Sequence, residues 1–254
     1  MTLFDLTGKT ALITGSSGGL GYAMAKGLAE AGARVIVHGR NTEKLEQARQ
    51  ALAEARHDVL VTSFDVTDEA AIERALADLD AQGVDIDILV NNAGIQLRKP
   101  LVETSHEEWQ KVLDTNLSST FLMGRHVARR MIARGQGGKV VNIGSLMSSV
   151  ARPTVGAYTA AKGGVRLITQ SMAAEWAEHG IQANAIGPGY MITEMTQPLV
   201  DKPEFNDWII NRTPARRWGT PDDLVGTVVY LAAPASNFVN GQIIYVDGGL
   251  LSVI

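Results

Sequence analysis

The stretch KTALITGSSGGLGYAMAKGLAEAGARVIVHGRN, residues 9–41, holds one complete β–α–β unit. A short apolar run at 9–14 breaks into a glycine-rich turn, TGSSGGLG at 14–21. A segment of helical spacing follows over 20–31, and the β-branched run RVIVH, 34–38, closes the unit. Neither run alternates apolar with polar residues, so both strands are covered on two faces, as in a parallel sheet. Joining parallel neighbours needs a crossover, which the intervening helix supplies with right-handed connection.

The same alternation continues to the end of the chain. Apolar, β-branched runs at 59–64, 87–90, 139–144, 181–186 and 242–247 predict further strands, and 42–55, 68–82 and 157–178 predict helices between them. Repeated βα units predict one α/β domain over residues 1–254, with a doubly wound parallel sheet of seven strands and helices on both faces.

Composition narrows the function. Hydrophobic residues make up 45% of the 254 positions and charged residues 20%, enough for a large buried core. A net charge of −4 argues against a nucleic-acid partner. The chain has no cysteine, which excludes disulfides, thiolate metal sites and thiol nucleophiles, and no metal is predicted. The opening MTLFDLTGKTALITG lacks the basic and apolar regions of a signal peptide, and no apolar run reaches the length of a membrane span. A cytoplasmic protein without a membrane partner is the expectation.

Gly15, Gly19 and Gly21, with Ser17 and Leu20 among them, stand between the first strand and its helix. Missing side chains there let backbone N–H groups approach a pyrophosphate at the helix N-terminus. Taken alone, the G-x-x-x-G-x-G spacing also fits a tight βα turn. Further segments favour a dinucleotide. Asp65 and Val66 follow the third strand, and Asp65 is placed to accept from an adenine amino group. NNAG at 91–94 follows the fourth, bringing Asn91, Asn92, Ala93 and Gly94 beside the same crevice. PGYMIT at 188–193 follows the sixth, offering Pro188, Gly189 and Thr193, the last toward a nicotinamide carboxamide. All lie at carboxyl ends of strands, where open parallel sheets bind ligands. The second strand ends in Gly39-Arg40 where a carboxylate would repel a 2′-phosphate. A guanidinium pairs well with phosphate, so NADP(H) is preferred over NAD(H), unless Arg40 is a solvated turn residue.

Tyr158 and Lys162, in YTAAK, share one helical face. A free phenol is too weak an acid to serve as a base at neutral pH, and a neighbouring ammonium or an oxidised nicotinamide favours the phenolate. Ser145, just after the fifth strand, can donate to a substrate oxygen and stabilise alkoxide-like charge. Asn116 is placed to anchor a water that connects Lys162 to solvent. By itself Tyr-x-x-x-Lys is also an ordinary helix feature; its company here makes it catalytic, with Ser145 preferred to Ser148 and Ser149 for its place beside the strand.

TGSSGGLG, NNAG, Asn116, Ser145, Tyr158, Lys162 and PGYMIT together resemble the short-chain dehydrogenase/reductase family over essentially the whole chain. The resemblance implies a Rossmann-type fold with strand order 3-2-1-4-5-6-7, binding of the nicotinamide ribose by Lys162, and a homotetramer. NNAGIQLRKPLVE, GPGYMITEMT, RTPARRWGTPDDLVG and NFVNGQIIYVDGGLL further resemble the branch that interconverts D-gluconate and 5-dehydro-D-gluconate. Related 2-deoxy-D-gluconate 3-dehydrogenases share the NNAG, PGYM and RWG segments, 3-oxoacyl-carrier-protein reductases share the catalytic set, and a non-catalytic NADP-binding regulator shares the fold.

A sugar-acid substrate calls for a cation several ångströms from the reacting carbon. Arg98, beyond NNAG, and Arg152, between Ser145 and Tyr158, are the candidates to hold its carboxylate while Ser145 and Tyr158 meet its oxygen. Either is otherwise a solvated loop charge, as Lys99 is. Residues 190–216 follow the sixth strand and are a candidate lid, where Tyr190, Met191 and Trp208 line the site or serve packing. Arg216 and Arg217 are expected to pair with Asp222 or Asp223.

Overall fold

A computed structural model describes residues 2–253. The strands are β1 (Thr10–Ile13), β2 (Arg34–His38), β3 (Val59–Thr62), β4 (Ile88–Asn91), β5 (Gly138–Ile143), β6 (Ile181–Pro188) and β7 (Ile243–Val246). All seven pair in parallel in one sheet, in the order β3-β2-β1-β4-β5-β6-β7. The helices of the crossovers are α1 (Gly19–Glu30), α2 (Thr42–Glu54), α3 (Glu69–Ala81), α4 (His106–Leu113), α5 (Ser119–Arg134) and α6 (Gly156–Trp176). After β6 come α7 (Gln197–Val200), α8 (Pro203–Arg212) and α9 (Val225–Ala232). The expected lid is therefore largely helical.

The period of two along a strand sorts the core into two layers. Ala11 and Ile13 of β1, Val35 and Val37 of β2, and Ile88 and Val90 of β4 pack with Met24 and Leu28 of α1 and Val228 and Leu231 of α9. Leu12, Ile36 and Leu89, on the alternate positions, pack with Ile72 and Leu76 of α3 and Met123 and Val127 of α5. Burial on both faces is why these strands read as unbroken apolar runs. β1 bonds to β2 on one side and β4 on the other. Their connections leave in opposite directions, which opens a crevice at their carboxyl ends.

Helix starts show what that edge is for. Asn41 caps α2 by accepting from Lys44 N–H at 2.9 Å, and Asp68 caps α3 by accepting from Ala71 N–H at 3.0 Å. Ser105 and Glu108 cap each other's backbone at α4. The cap position of α1 is Gly18, which has no side chain to offer, so the first-turn N–H groups remain available to a ligand.

At the opposite end of the sheet Lys139 of β5 is 8% exposed. Its ammonium donates to Asn237 Oδ1 at 2.8 Å and Ser236 Oγ at 3.3 Å, and it forms no ion pair among the described residues. Burial lowers its pKa from 10.5 to about 8. The unfolded chain therefore binds more protons than the folded one between these values, so this lysine's penalty is full below about pH 8 and fades as pH rises toward 10.5. Urea unfolding of the wild type and Lys139→Met should show the wild type gaining stability on the variant across that window. Parallel pH profiles would contradict this account.

Candidate active site

Two spaces meet above the carboxyl edge. The larger, about 440 Å³, runs from the end of β2 to α6. Gly15, Ser17, Gly19, Leu20 and Gly21 line one wall, and Arg40, Asp65 and Val66 close the far end. Asn92, Ala93, Gly94 and Asn116 form the opposite wall, and Tyr158, Lys162 and Thr193 the near end. Pro188 and Gly189 face instead a smaller chamber of about 130 Å³, which also holds Ser145, Arg98 and Arg152. Tyr158 borders both spaces. Asn91 is buried behind this surface, donating to Asn142 Oδ1 at 2.9 Å.

The glycine turn is built for close approach. Gly15 has φ +65°, in the left-handed region, and a side chain at Gly21 would overlap the Gly15 carbonyl and the Asn92 amide. Asn92 braces the turn, its amide donating to Thr14 O at 2.9 Å and Gly15 O at 3.0 Å. Thr14 Oγ1 accepts from the N–H groups of Asn92 and Ala93, each at 3.0 Å.

A residue that sequence patterns did not single out holds the turn from the other side. His38 is 2% exposed; its Nδ1 accepts from Gly15 N–H at 3.0 Å and its Nε2 bonds to Phe64 O at 3.0 Å. Those two partners require the neutral ring protonated on Nε2, and burial lowers its pKa to about 4, so that form holds at neutral pH. Ser16 adds to the joint, accepting from His38 N–H at 2.9 Å while donating to Ile13 O at 2.7 Å. Next to it, Arg40 pairs with Asp65 at 2.8 Å, with its side chain 69% exposed. The other Asp65 oxygen accepts from Thr67 N–H at 2.9 Å. The arginine is thus held at the β2 end of the larger space by Asp65, with its Nη1 on the carboxylate.

At the near end, Lys162 is buried and donates to Ile143 O at 2.6 Å, its Nζ 5.6 Å from the centre of the Tyr158 ring. Burial lowers Lys162 to about 8, which leaves an ammonium at neutral pH. Tyr158 is raised above its ordinary value by burial, against an opposing contribution from the Ser145 hydroxyl. Ser148 instead spends its hydroxyl on Lys162 O at 2.8 Å, and Ser149 bonds to Tyr245. Asn116 sits in a π-helical turn, Asp114–Ser118, between α4 and α5. Its amide is consumed by backbone: Nδ2 donates to Ile95 O and Val112 O, both at 2.9 Å, and Oδ1 accepts from Ile95 N–H at 3.1 Å. A water relay through Asn116 would use its main chain, not its side chain.

In the smaller chamber neither Arg98 nor Arg152 has a carboxylate partner among the described residues. Arg98 donates to Met195 O at 3.2 Å, and burial together with the nearby Arg152 charge lowers its pKa. Lys99, by contrast, is neutralised by Glu108 at 2.9 Å. Tyr190 and Met191 of the 190–216 segment line the chamber, while Trp208 packs edge-on to Tyr190 with ring centres 6.3 Å apart. Arg217 pairs with Asp223 at 2.7 Å. Arg216 donates to Asn211 O at 2.9 Å rather than to an aspartate.

A doubly wound parallel sheet with an uncapped glycine turn and a Ser–Tyr–Lys centre defines a nicotinamide-dependent oxidoreductase. Residues 15–251 match the family model described as enoyl-(acyl carrier protein) reductase. The chain belongs to the short-chain dehydrogenase/reductase family, and is an NAD(P)-dependent oxidoreductase acting on CH–OH groups. It is 48% identical to gluconate 5-dehydrogenase of Gluconobacter oxydans, covering 98% of this chain and 96% of the relative. It is also 48% identical to 2-dehydro-3-deoxy-D-gluconate 5-dehydrogenase of Formosa agariphila, covering 99% and 96%. The crystal structure of a Burkholderia cenocepacia gluconate 5-dehydrogenase in complex with NADP and tartrate superposes with a TM-score of 0.97 at 46% identity, over 100% of this chain and 99% of that one.

The His38 joint carries a prediction. His38→Leu removes both an acceptor and a donor, freeing the glycine turn, and should raise the KM for NADPH about tenfold, the cost of one or two neutral hydrogen bonds. The kcat at saturating cofactor should stay within about twofold, because the reacting groups are remote from the change. Steady-state kinetics check this, and an unchanged KM would remove the assigned role.

Proposed function

We propose that this protein is an NADP(H)-dependent oxidoreductase that interconverts D-gluconate and 5-dehydro-D-gluconate. The observation that carries this reading is the position of Tyr158 at the junction of a dinucleotide-sized crevice and a chamber bearing two guanidiniums without carboxylate partners among the described residues. A sugar acid brings the anion those arginines lack and the hydroxyl that Tyr158 needs. Gluconate 5-dehydrogenases among the relatives support the choice, as does one solved with NADP and a hydroxy-acid in place.

The crevice suits the cofactor at both ends. First-turn N–H groups of α1 face the pyrophosphate path, and Arg40 offers free donors to a 2′-phosphate where no carboxylate on β2 repels it. Lys162 would hold the nicotinamide ribose, and Thr193 the carboxamide. NADP(H), when bound, supplies or accepts the hydride at the substrate carbon.

In reduction, the Tyr158 hydroxyl gives its proton to the carbonyl oxygen as that oxygen gains charge, while Ser145 donates a second hydrogen bond to it. In oxidation Tyr158 takes the proton back. Burial alone makes Tyr158 a reluctant base, so the Lys162 ammonium and the Ser145 hydroxyl must offset that cost when the site is filled. Arg98 and Arg152 hold the carboxylate and so fix which carbon meets Tyr158. The Asn116 turn completes the proton path to solvent.

A second substrate is favoured by the equal identity to a 2-dehydro-3-deoxy-D-gluconate 5-dehydrogenase. That acid carries the same reacting position and the same terminal carboxylate and differs between them, so the two readings share one mechanism. We also propose a cytoplasmic location, as read from the sequence, and the homotetramer that the family resemblance implies, to which the exposed Phe121 of α5 and Leu167 of α6 offer apolar surface.

Initial rates with 5-dehydro-D-gluconate, a 5-dehydro derivative of 2-dehydro-3-deoxy-D-gluconate, a 3-keto sugar acid and a 3-oxoacyl thioester test the assignment. Reduction of the first with NADPH is expected; turnover confined to the thioester would overturn it. Arg40→Ala should raise the KM for NADPH at least about tenfold, as loss of a charge-assisted phosphate contact does, with little change for NADH. Equal effects on both cofactors would sink the 2′-phosphate role. Arg98→Ala should weaken gluconate while sparing an uncharged alcohol, and equal losses on both would remove the carboxylate contact.

A further inference from the structure

Arg152 lies over the ring of Phe205, with its guanidinium carbon 5.3 Å from the ring centre. Phe205 belongs to α8, far along the chain from the catalytic helix and outside the residues that line the chamber. Its ring is fixed in turn. Tyr190 meets it edge-on at 5.7 Å, and Trp218, 5% exposed, lies 6.4 Å from it. Trp218 is anchored by its indole N–H, which donates to Asn206 Oδ1 at 2.9 Å. The result is an aromatic platform beneath a cation that has no carboxylate partner among the described residues.

A guanidinium over an aromatic face is attracted by the ring quadrupole, and the contact itself uses none of its in-plane N–H donors; the Tyr190 hydroxyl engages one, and the rest are left for a carboxylate. A carboxylate partner in that place would have occupied those donors. An unsupported arginine on this loop would sample many rotamers and lose that freedom on binding. Resting on the reading of a sugar-acid substrate, we propose that Phe205 is a positioning residue for substrate recognition: its ring holds Arg152 against the chamber so that the guanidinium fork meets the substrate carboxylate. Helix α8 thereby belongs to the substrate site through a residue that does not touch substrate. The contact also makes carboxylate recognition depend on the placement of the lid, because Arg152 stands on the catalytic-loop side and Phe205 on the lid side.

The test is a double-mutant cycle on the full-length enzyme, with 5-dehydro-D-gluconate as substrate and saturating NADPH. Phe205→Leu keeps bulk and removes the ring; it should raise the substrate KM by about three- to tenfold, the range a ring–guanidinium contact commands, with kcat and the KM for NADPH within about twofold. Phe205→Tyr, which keeps the ring, should behave as wild type. In an Arg152→Ala background, Phe205→Leu should add less than about twofold, because the ring then has no guanidinium to hold. Full effects of the two substitutions that multiply would overturn the proposal and mark Phe205 as a packing residue, as would a matching loss in Phe205→Tyr. If Arg152→Ala leaves the substrate KM unchanged, the role of Arg152 in carboxylate binding falls with the proposal. If Arg152→Ala raises it and Phe205→Leu does not, the proposal alone fails.

Discussion

The backbone at Thr14–Gly15 is clamped from both neighbouring strand ends, and the reaction edge is placed by reference to that clamp. Asn92, after β4, donates to the carbonyls of Thr14 and Gly15. His38, ending β2, accepts the Gly15 N–H and reaches Phe64 beyond β3. A turn with a left-handed glycine has little of its own to hold it, and hydrogen bonds across three strands make its shape a property of the sheet. From that shape follow the direction of α1 and its uncapped N–H groups, and with them the course of any bound pyrophosphate. The same strand ends carry Arg40, Asp65 and Gly94 into the crevice, so cofactor length is measured along the sheet.

Much of this was legible because it is local or periodic. Buried parallel strands announce themselves as unbroken apolar runs, and Tyr158 and Lys162 share a face by helical spacing alone. Pairings between distant segments left no such trace. Nothing in IVHGRN says that His38 turns inward to bind a glycine N–H, since its partners sit 23 and 26 residues away along the chain. Asn116 was legible as a site residue, but its amide proved to be spent on Ile95 and Val112 backbone. Pro188 and Gly189 follow the right strand yet face the smaller chamber, because β6 lies two strands beyond β4, on the substrate side. The lid reads poorly as strand for a plain reason: α7 and α8 occupy much of it.

Charge separates the two ends of the site. Arg40 is balanced by Asp65, a pair that a phosphate can enter by taking donors the aspartate leaves over. Arg98 and Arg152 have no such balance among the described residues, and burial, with the Arg152 charge nearby, lowers the pKa of Arg98. Two like charges brought together on a chain of net charge −4 are costly unless something anionic joins them. Lys99, one residue from Arg98, shows the ordinary solution, a carboxylate at 2.9 Å. That contrast is what the proposed sugar-acid substrate would answer, by bringing the carboxylate that Glu108 supplies to Lys99.

The reacting centre then has to reconcile two opposed demands. Burial strengthens hydrogen bonds to a substrate oxygen, yet the same burial raises Tyr158 and lowers Lys162. Both shifts oppose the phenolate–ammonium pair that oxidation needs in the proposed mechanism. The protein answers with fixed dipoles in place of water: Ile143 O receives the Lys162 ammonium at 2.6 Å, and Ser145 stands beside the phenol. These groups cost no reorganisation during proton transfer. On the mechanism proposed above, the end of β5, with Ile143 and the nearby Ser145, supplies the dipoles that offset what burial costs Tyr158 and Lys162.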